Sequence, residues 1–238
     1  MTILSSIIFL AIFAAGCAVM YREGFLKSGG YIAVSIFFLT LAFAVRIPVL
    51  DWRTGDYNDF LSVWVDYFRQ NGGFAALKDS IGNYNLPYLY FLALFSYIPV
   101  DDLYLIKFLS IAFDLVLAWG VSRLVLFFTD SKPRQLAAFI AVMLMPADVL
   151  NGALWAQCDS IFAAFAVISL YMALCGKSRS AYAFAALSLA FKVQAVFFLP
   201  LFGVLILTGV VRLRDCWVFP AVFLATLLPA VLLGHPLS

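Results

Sequence analysis

Residues 103–128 read LYLIKFLSIAFDLVLAWGVSRLVLFF. A run of about 18 or more apolar residues is long enough to cross the hydrocarbon core of a bilayer as one helix. This run's only charged residues are Lys107, Asp114 and Arg123. Its apolar residues are continuous and do not repeat at the spacing of a single core-facing stripe, so lipid is their natural solvent. Further apolar segments cover 3–20, 31–49, 85–99, 136–150, 159–175, 181–209 and 216–234. The stretch 181–209 exceeds one simple span and contains Lys192 and Pro200, which predicts a break. The composition agrees: 65% of the 238 residues are hydrophobic, 12% are charged and the mean hydropathy is +1.03. A soluble domain of this size needs more polar surface. The expected fold is an all-α polytopic transmembrane protein, with about seven to eight membrane segments in a single module over 1–238.

Several function classes fall away. A net charge of +2 is too small to attract nucleic acid. Cys17, Cys158, Cys175 and Cys216 show no CxxC spacing, and three of them sit in or beside apolar runs, where cysteine behaves as a small hydrophobe. His235 is the single histidine, which leaves no pair for haem or zinc ligation and places a serine–histidine hydrolase out of reach. No basic residue precedes the first apolar run, as a signal peptide would require, so 3–20 is read as a retained helix.

The short loops 21–30, 129–135, 176–180 and 210–215 each carry two or more Lys or Arg, and the positive-inside rule places all four in the cytoplasm. The long polar stretch 50–84, the turn 151–158 and the Lys192 region then face the other side. Between 84 and 129 an odd number of crossings is needed, yet two apolar segments lie there. Either 85–99 is a re-entrant or interfacial piece, or one basic loop is misplaced.

The chemistry concentrates in the polar stretches. Within 50–84, the outer loop, Asp56, Asp59 and Asp66 bring carboxylates to the mouth of a membrane helix. A carboxylate near a low-dielectric boundary can act as a general base, and acidic loops also bind divalent cations. A solvated surface loop is the alternative reading. Residues 59–70 place Phe60, Val63, Trp64, Tyr67 and Phe68 at helical spacing, the pattern of an interfacial helix, and Gly72-Gly73 reads as its C-cap. Pro87 opens the next helix, with Tyr84 and Tyr88 as interface anchors. Asp159 caps the segment 159–175 and, with Gln157, has the chemistry to line a polar pocket. Lys192 lies inside an apolar run, where an ionisable group is costly unless paired or near water. It either holds a phosphate or snorkels to the interface. Arg46 is an interface anchor or a phosphate ligand, and Asp114 calls for a basic partner elsewhere.

Three blocks together resemble a known family. They are Gly55-Asp56-Tyr57-Asn58-Asp59-Phe60 with Trp64, Gly72-Gly73 and Asn83-Tyr84-Asn85-Leu86-Pro87-Tyr88; Leu154-Trp155-Ala156-Gln157-Cys158-Asp159-Ser160; and Ala190-Phe191-Lys192-Val193-Gln194-Ala195 with Leu199-Pro200. Their order over about 55–200 is similar to that of Gpi18-like mannosyltransferases, multi-pass enzymes of the GT-C superfamily. Phe113-Asp114-Leu115 also fits. The resemblance implies a glycosyltransferase that takes a hexose, mannose first among them, from a polyprenyl-phosphate sugar and passes it with inversion to a glycan or glycolipid acceptor. It implies Asp56 as catalytic base and Asp59 for the acceptor or a divalent cation. Lys192 would sit on the donor phosphate, with Gln157, Asp159 and Gln194 around the sugar. Arg46 joins the substrate-binding set on its own chemistry. Family members are longer, with more helices beyond this region, so the chain corresponds to their N-terminal catalytic module. The helix at 3–20 is additional. The expected setting is a bacterial plasma membrane with the site facing outward. Two other classes stand beside this one: a small transporter or flippase, against which the lack of an internal repeat counts, and an inactive homologue that binds a lipid-linked glycan.

Overall fold

The computed structural model describes residues 1–27 and 29–236. Among them the regular structure is helical throughout, with no strand. Five segments have the length and hydropathy of a membrane span: Ile3–Arg22, Gly29–Val49, Asp102–Thr129, Lys132–Leu154 and Leu213–Leu232. Their outward faces are as apolar as their inward ones. Leu10, Phe37, Leu224 and Leu232 are all more than 60% exposed, an arrangement that water would not tolerate over so many helices. Five such helices are compatible with an integral membrane protein. Three further apolar helical stretches, Leu86–Phe95, Asp159–Leu174 and Val193–Leu207, are shorter, so length alone does not reach the expected seven to eight spans.

The chain divides into two compact units, Met1–Tyr57 with Leu103–Ser160, and Asn58–Asp102 with Ile161–Ser238. In the first unit, helix α1 (Ile3–Arg22) begins where Thr2 accepts the Ser5 amide and ends before Gly24, whose φ is +84°. Helix α2 (Gly29–Ala44) returns against it. Gly16 of α1 makes the close approach possible: a Cβ there would stand 3.2 Å from Leu115 and 3.3 Å from Leu39. Phe9, Phe13, Phe43 and Phe108 interlock edge to face and tilted beside it, the geometry that aromatic quadrupoles favour. Helix α5 (Asp102–Thr129) is the longest in the chain. Helix α6 (Lys132–Met143) stops ahead of Pro146. The chain then makes one turn, α7 (Pro146–Asp148), and a π-helical segment, Val149–Leu154.

In the second unit, a π-helical turn (Tyr57–Leu61) leads into helix α3 (Ser62–Gln70), which buries Trp64, Val65 and Phe68. A helix therefore forms over most of the predicted 59–70 stretch, entered through a widened turn. Gly72 and Gly73 end it in the left-handed region. Helix α4 (Leu86–Phe95) carries Pro87 in its first turn and has ten residues. At ~1.5 Å per residue its length is about half of the ~30 Å hydrocarbon core. Helix α8 (Asp159–Leu174) is followed by α9 (Ser178–Phe191), and the expected break falls at Lys192. A 3-10 segment (Val193–Phe198) and helix α10 (Leu199–Leu207) come next. Helix α11 (Val218–Leu232) packs on α9 and α4. Pro229 lies inside α11 and interrupts its hydrogen-bond ladder. The Tyr90 hydroxyl of α4 inserts there, donating to the Thr226 carbonyl at 2.8 Å and accepting from the Ala230 amide at 3.3 Å.

Candidate active site

The predicted site residues fall on both units, and each half has its own architecture. In the first unit the central fact is a contact between two loops. Asp56 ends the segment after α2, and its carboxylate accepts a hydrogen bond from Gln157 Nε2 at 3.2 Å. Asp56 is exposed and Gln157 half-buried, so the pair is open to a ligand.

Both partners are positioned by polar groups drawn from helix interiors. Lys107, fully buried on α5, donates to the carbonyls of Val49, Leu50 and Trp52 at 2.9, 2.9 and 2.7 Å. These three bonds satisfy an ammonium that a membrane span could not otherwise hold, and they fix the chain ahead of Asp56. Tyr104, one turn earlier, donates to Asp51. Thr54 Oγ1 accepts the Tyr57 amide at 3.4 Å, and Arg53 donates to the Tyr57 hydroxyl at 3.2 Å. The Asp56 backbone is thus bracketed on both sides.

Gln157 is turned toward Asp56 by Ala156, which has φ +58°. The left-handed region is costly for a residue with a Cβ. The turn is held by the Gln157 amide donating to Asn151 O at 3.0 Å and by Ser110 Oγ donating to Gln157 O at 2.6 Å. Asn151 also donates from Nδ2 to Asp159 Oδ2 at 2.9 Å, so Asp159 is tied to the π segment as well as opening α8. A π turn stands immediately after Asp56 and another just before Gln157. Such turns are rare and occur frequently at functional sites.

Arg46 lies elsewhere. It is fully buried, with Nη2 2.8 Å from Asp114 Oδ2 and Nη1 donating to Ala42 O and Met143 O at 2.7 and 2.8 Å. Its fork is spent on the interior, and no face is presented to a phosphate. Asp114 has the basic partner its position called for. The structure therefore separates Arg46 from the Asp56–Gln157 pair, where sequence reasoning grouped them.

In the second unit Asp59 is exposed on the first π turn. Lys192 takes an extended backbone (φ −152°, ψ 130°) between α9 and the 3-10 segment. Its half-buried ammonium lies 5.7 Å from the centre of the Tyr84 ring, within cation–π range. Gln194 is exposed two residues on. Beside them is a cavity of about 470 Å³ lined by Gly82, Tyr84, Asn85, Leu189, Val193 and His235, among others. Asn85 donates to Leu189 O at 3.1 Å, which satisfies a carbonyl at the end of α9. Tyr84 also packs obliquely on Tyr88. Among the described residues, no three His, Cys, Asp or Glu side chains converge as a metal site would require.

Two positioning groups escaped the sequence reading. Lys107 enters the sequence reading only as an interruption of an apolar run, although an ammonium within a span is itself a signal. Glu23 was not singled out at all. It receives Trp119 Nε1 at 2.9 Å, Gln135 Nε2 at 2.7 Å and Arg123 at 3.2 Å, binding the ends of α1, α5 and α6 together. No family model, curated protein or solved structure matches the chain.

Proposed function

We propose that the protein is a GT-C-type glycosyltransferase, similar to the Gpi18-like mannosyltransferases, which moves a hexose from a polyprenyl-phosphate donor to a glycan or glycolipid acceptor. The observation that carries this reading is the Asp56–Gln157 pair. Two polar side chains from distant loops, each singled out by a different motif block, meet at a solvent-accessible position beside two π turns. Asp56 takes the proton of the acceptor hydroxyl as that oxygen bonds to the anomeric carbon. The bond from that carbon to the phosphate oxygen breaks, its electron pair leaves with the polyprenyl phosphate, and the anomeric configuration inverts. Gln157 orients the carboxylate by donating to Oδ2 and leaves Oδ1 for the acceptor. Lys192 is assigned to the donor phosphate on its chemistry: a cation at a helix break, able to stabilise charge that grows in the transition state. Asp59, Asp159 and Gln194 remain as polar contacts for sugar or acceptor. The outward-facing site, the bacterial plasma membrane and any divalent cation belong to the same proposal.

The test is sugar transfer in membranes from a panel of radiolabelled polyprenyl-phosphate sugars. Loss of a positioned general base lowers the rate by about 10²–10⁴-fold, and that is the expected result for Asp56→Asn at matched expression. Gln157→Ala should lower turnover less, with donor KM unchanged, and Lys192→Ala should raise donor KM. Unchanged transfer by Asp56→Asn overturns the assigned base. No transfer with any donor by the parent chain overturns the glycosyltransferase reading itself.

A further inference from the structure

The second unit holds another polar feature, made of different residues. The loop 176–180 and the loop 212–215 meet around a cavity of about 250 Å³, lined by Lys177, Arg179, Arg212, Arg214, Asp215 and the serines 178 and 180. Its walls are pinned. Arg179 Nε binds Asp215 at 3.2 Å, with the Asp215 side chain 7% exposed, and the Arg212 amide donates to Ser178 Oγ at 3.0 Å. Lys177, Arg212 and Arg214 are exposed, and their side chains make no hydrogen bond or ion pair among the described residues. Four cations therefore face one carboxylate that is already engaged.

The surroundings say what kind of anion fits. The cavity lies at the start of the Leu213–Leu232 span. Leu213, between two of its arginines, is 64% exposed, and Trp217, one turn on, is 56% exposed. Exposed leucine and tryptophan at the end of a span mark the level of lipid headgroups, where an indole ring is half solvated. Cations facing such a level meet anionic lipid. We propose that this cavity binds the phosphate of an anionic phospholipid, with Lys177, Arg212 and Arg214 as its ligands and the acyl chains lying along the apolar surface of Leu213 and Trp217.

The experiment titrates delipidated full-length protein in neutral detergent with phosphatidylglycerol or phosphatidylcholine and reads bound lipid by native mass spectrometry. Phosphatidylglycerol should bind in preference. Each Lys or Arg removed near a membrane surface costs roughly fivefold in affinity, so Arg212→Gln with Arg214→Gln should weaken phosphatidylglycerol by roughly thirtyfold. A control, Arg22→Gln with Arg134→Gln, removes the same charge from exposed residues outside the cavity and should weaken binding far less. Lys177→Gln, a single change on an exposed side chain, should weaken it roughly fivefold and serves if the double variant does not fold. Equal loss in the cavity variant and the control would reduce the effect to diffuse charge and overturn the site. So would undiminished binding by the cavity variants, or equal binding of the two lipids. Full displacement of phosphatidylglycerol by millimolar inorganic phosphate would assign the cavity to free phosphate and overturn the lipid.

Discussion

Removing one member of the Arg46–Asp114 pair should destabilise the protein far more than removing both. The two groups are fully buried and 2.8 Å apart, so Asp114→Leu strands a guanidinium in the membrane interior, and Arg46→Met strands a carboxylate. Breaking a buried pair in this way costs about 3–5 kcal/mol. For a chain of this length that corresponds to a fall in Tm of roughly 6–20 °C. The geometry is good but incomplete. Arg46 Nε and Asp114 Oδ1 have no hydrogen-bond partner among the described residues. A pair with such gaps recovers little of its desolvation cost, so Arg46→Met with Asp114→Leu should lie within about 1 kcal/mol of the parent. The readout is thermal loss of helical circular dichroism in detergent micelles for the four members of the cycle. A double variant that falls by the sum of the single losses would mean that the two charges are not coupled. A silent Asp114→Leu would mean that no guanidinium is stranded. Either outcome refutes the prediction.

The other expectations are local. Lys107→Met removes the donor shared by the carbonyls of Val49, Leu50 and Trp52, so trypsin should cut after Arg53 many times faster than in the parent; an unchanged rate would mean that the clamp does not hold the segment. Burial raises the Glu23 pKa, but hydrogen bonds from Trp119 and Gln135 and the charge of Arg123 outweigh it, and the net shift is downward. A depressed carboxylate contributes stability above its unfolded pKa and loses it as pH falls through the folded one. Glu23→Gln should therefore lower Tm at pH 7 and have a shrinking effect below the usual carboxylate value; a deficit that grows in acid would contradict the assignment. Tyr90→Phe leaves the Thr226 carbonyl and Ala230 amide beside Pro229 without their inserted hydroxyl. That should cost about 1–3 kcal/mol and speed hydrogen exchange in the second half of α11, measured by mass spectrometry.

Much of the fold was legible because length and hydropathy are one-dimensional properties. The runs at 3–20, 31–49 and 103–128 became helices close to those bounds, and Lys192 with Pro200 announced the broken helix. The short segment 85–99 was legible only as a parity conflict, since ten helical residues carry the same apolar signal as a longer run. Partners were harder. Arg46 and Asp114 lie 68 positions apart, and no local pattern distinguishes an arginine that seeks a carboxylate from one that seeks a phosphate. The Asp56–Gln157 contact spans 101 positions and depends on a left-handed Ala156, a conformation that alanine does not advertise. The π turns were likewise invisible, because one extra residue in a turn leaves composition unchanged.

Those two wide turns set the rotational phase of the residues after them. Each residue in an α-helix advances the next by about 100° around the axis, and a π turn absorbs one residue more than an α turn. Shortening Val149–Leu154 by one residue would rotate the end of this segment by that angle and re-aim the left-handed turn at Ala156 that follows it, carrying Gln157 away from Asp56. The surplus residue works as a rotary adjustment: it lets the helix end keep its packing while the loop beyond it is aimed in another direction.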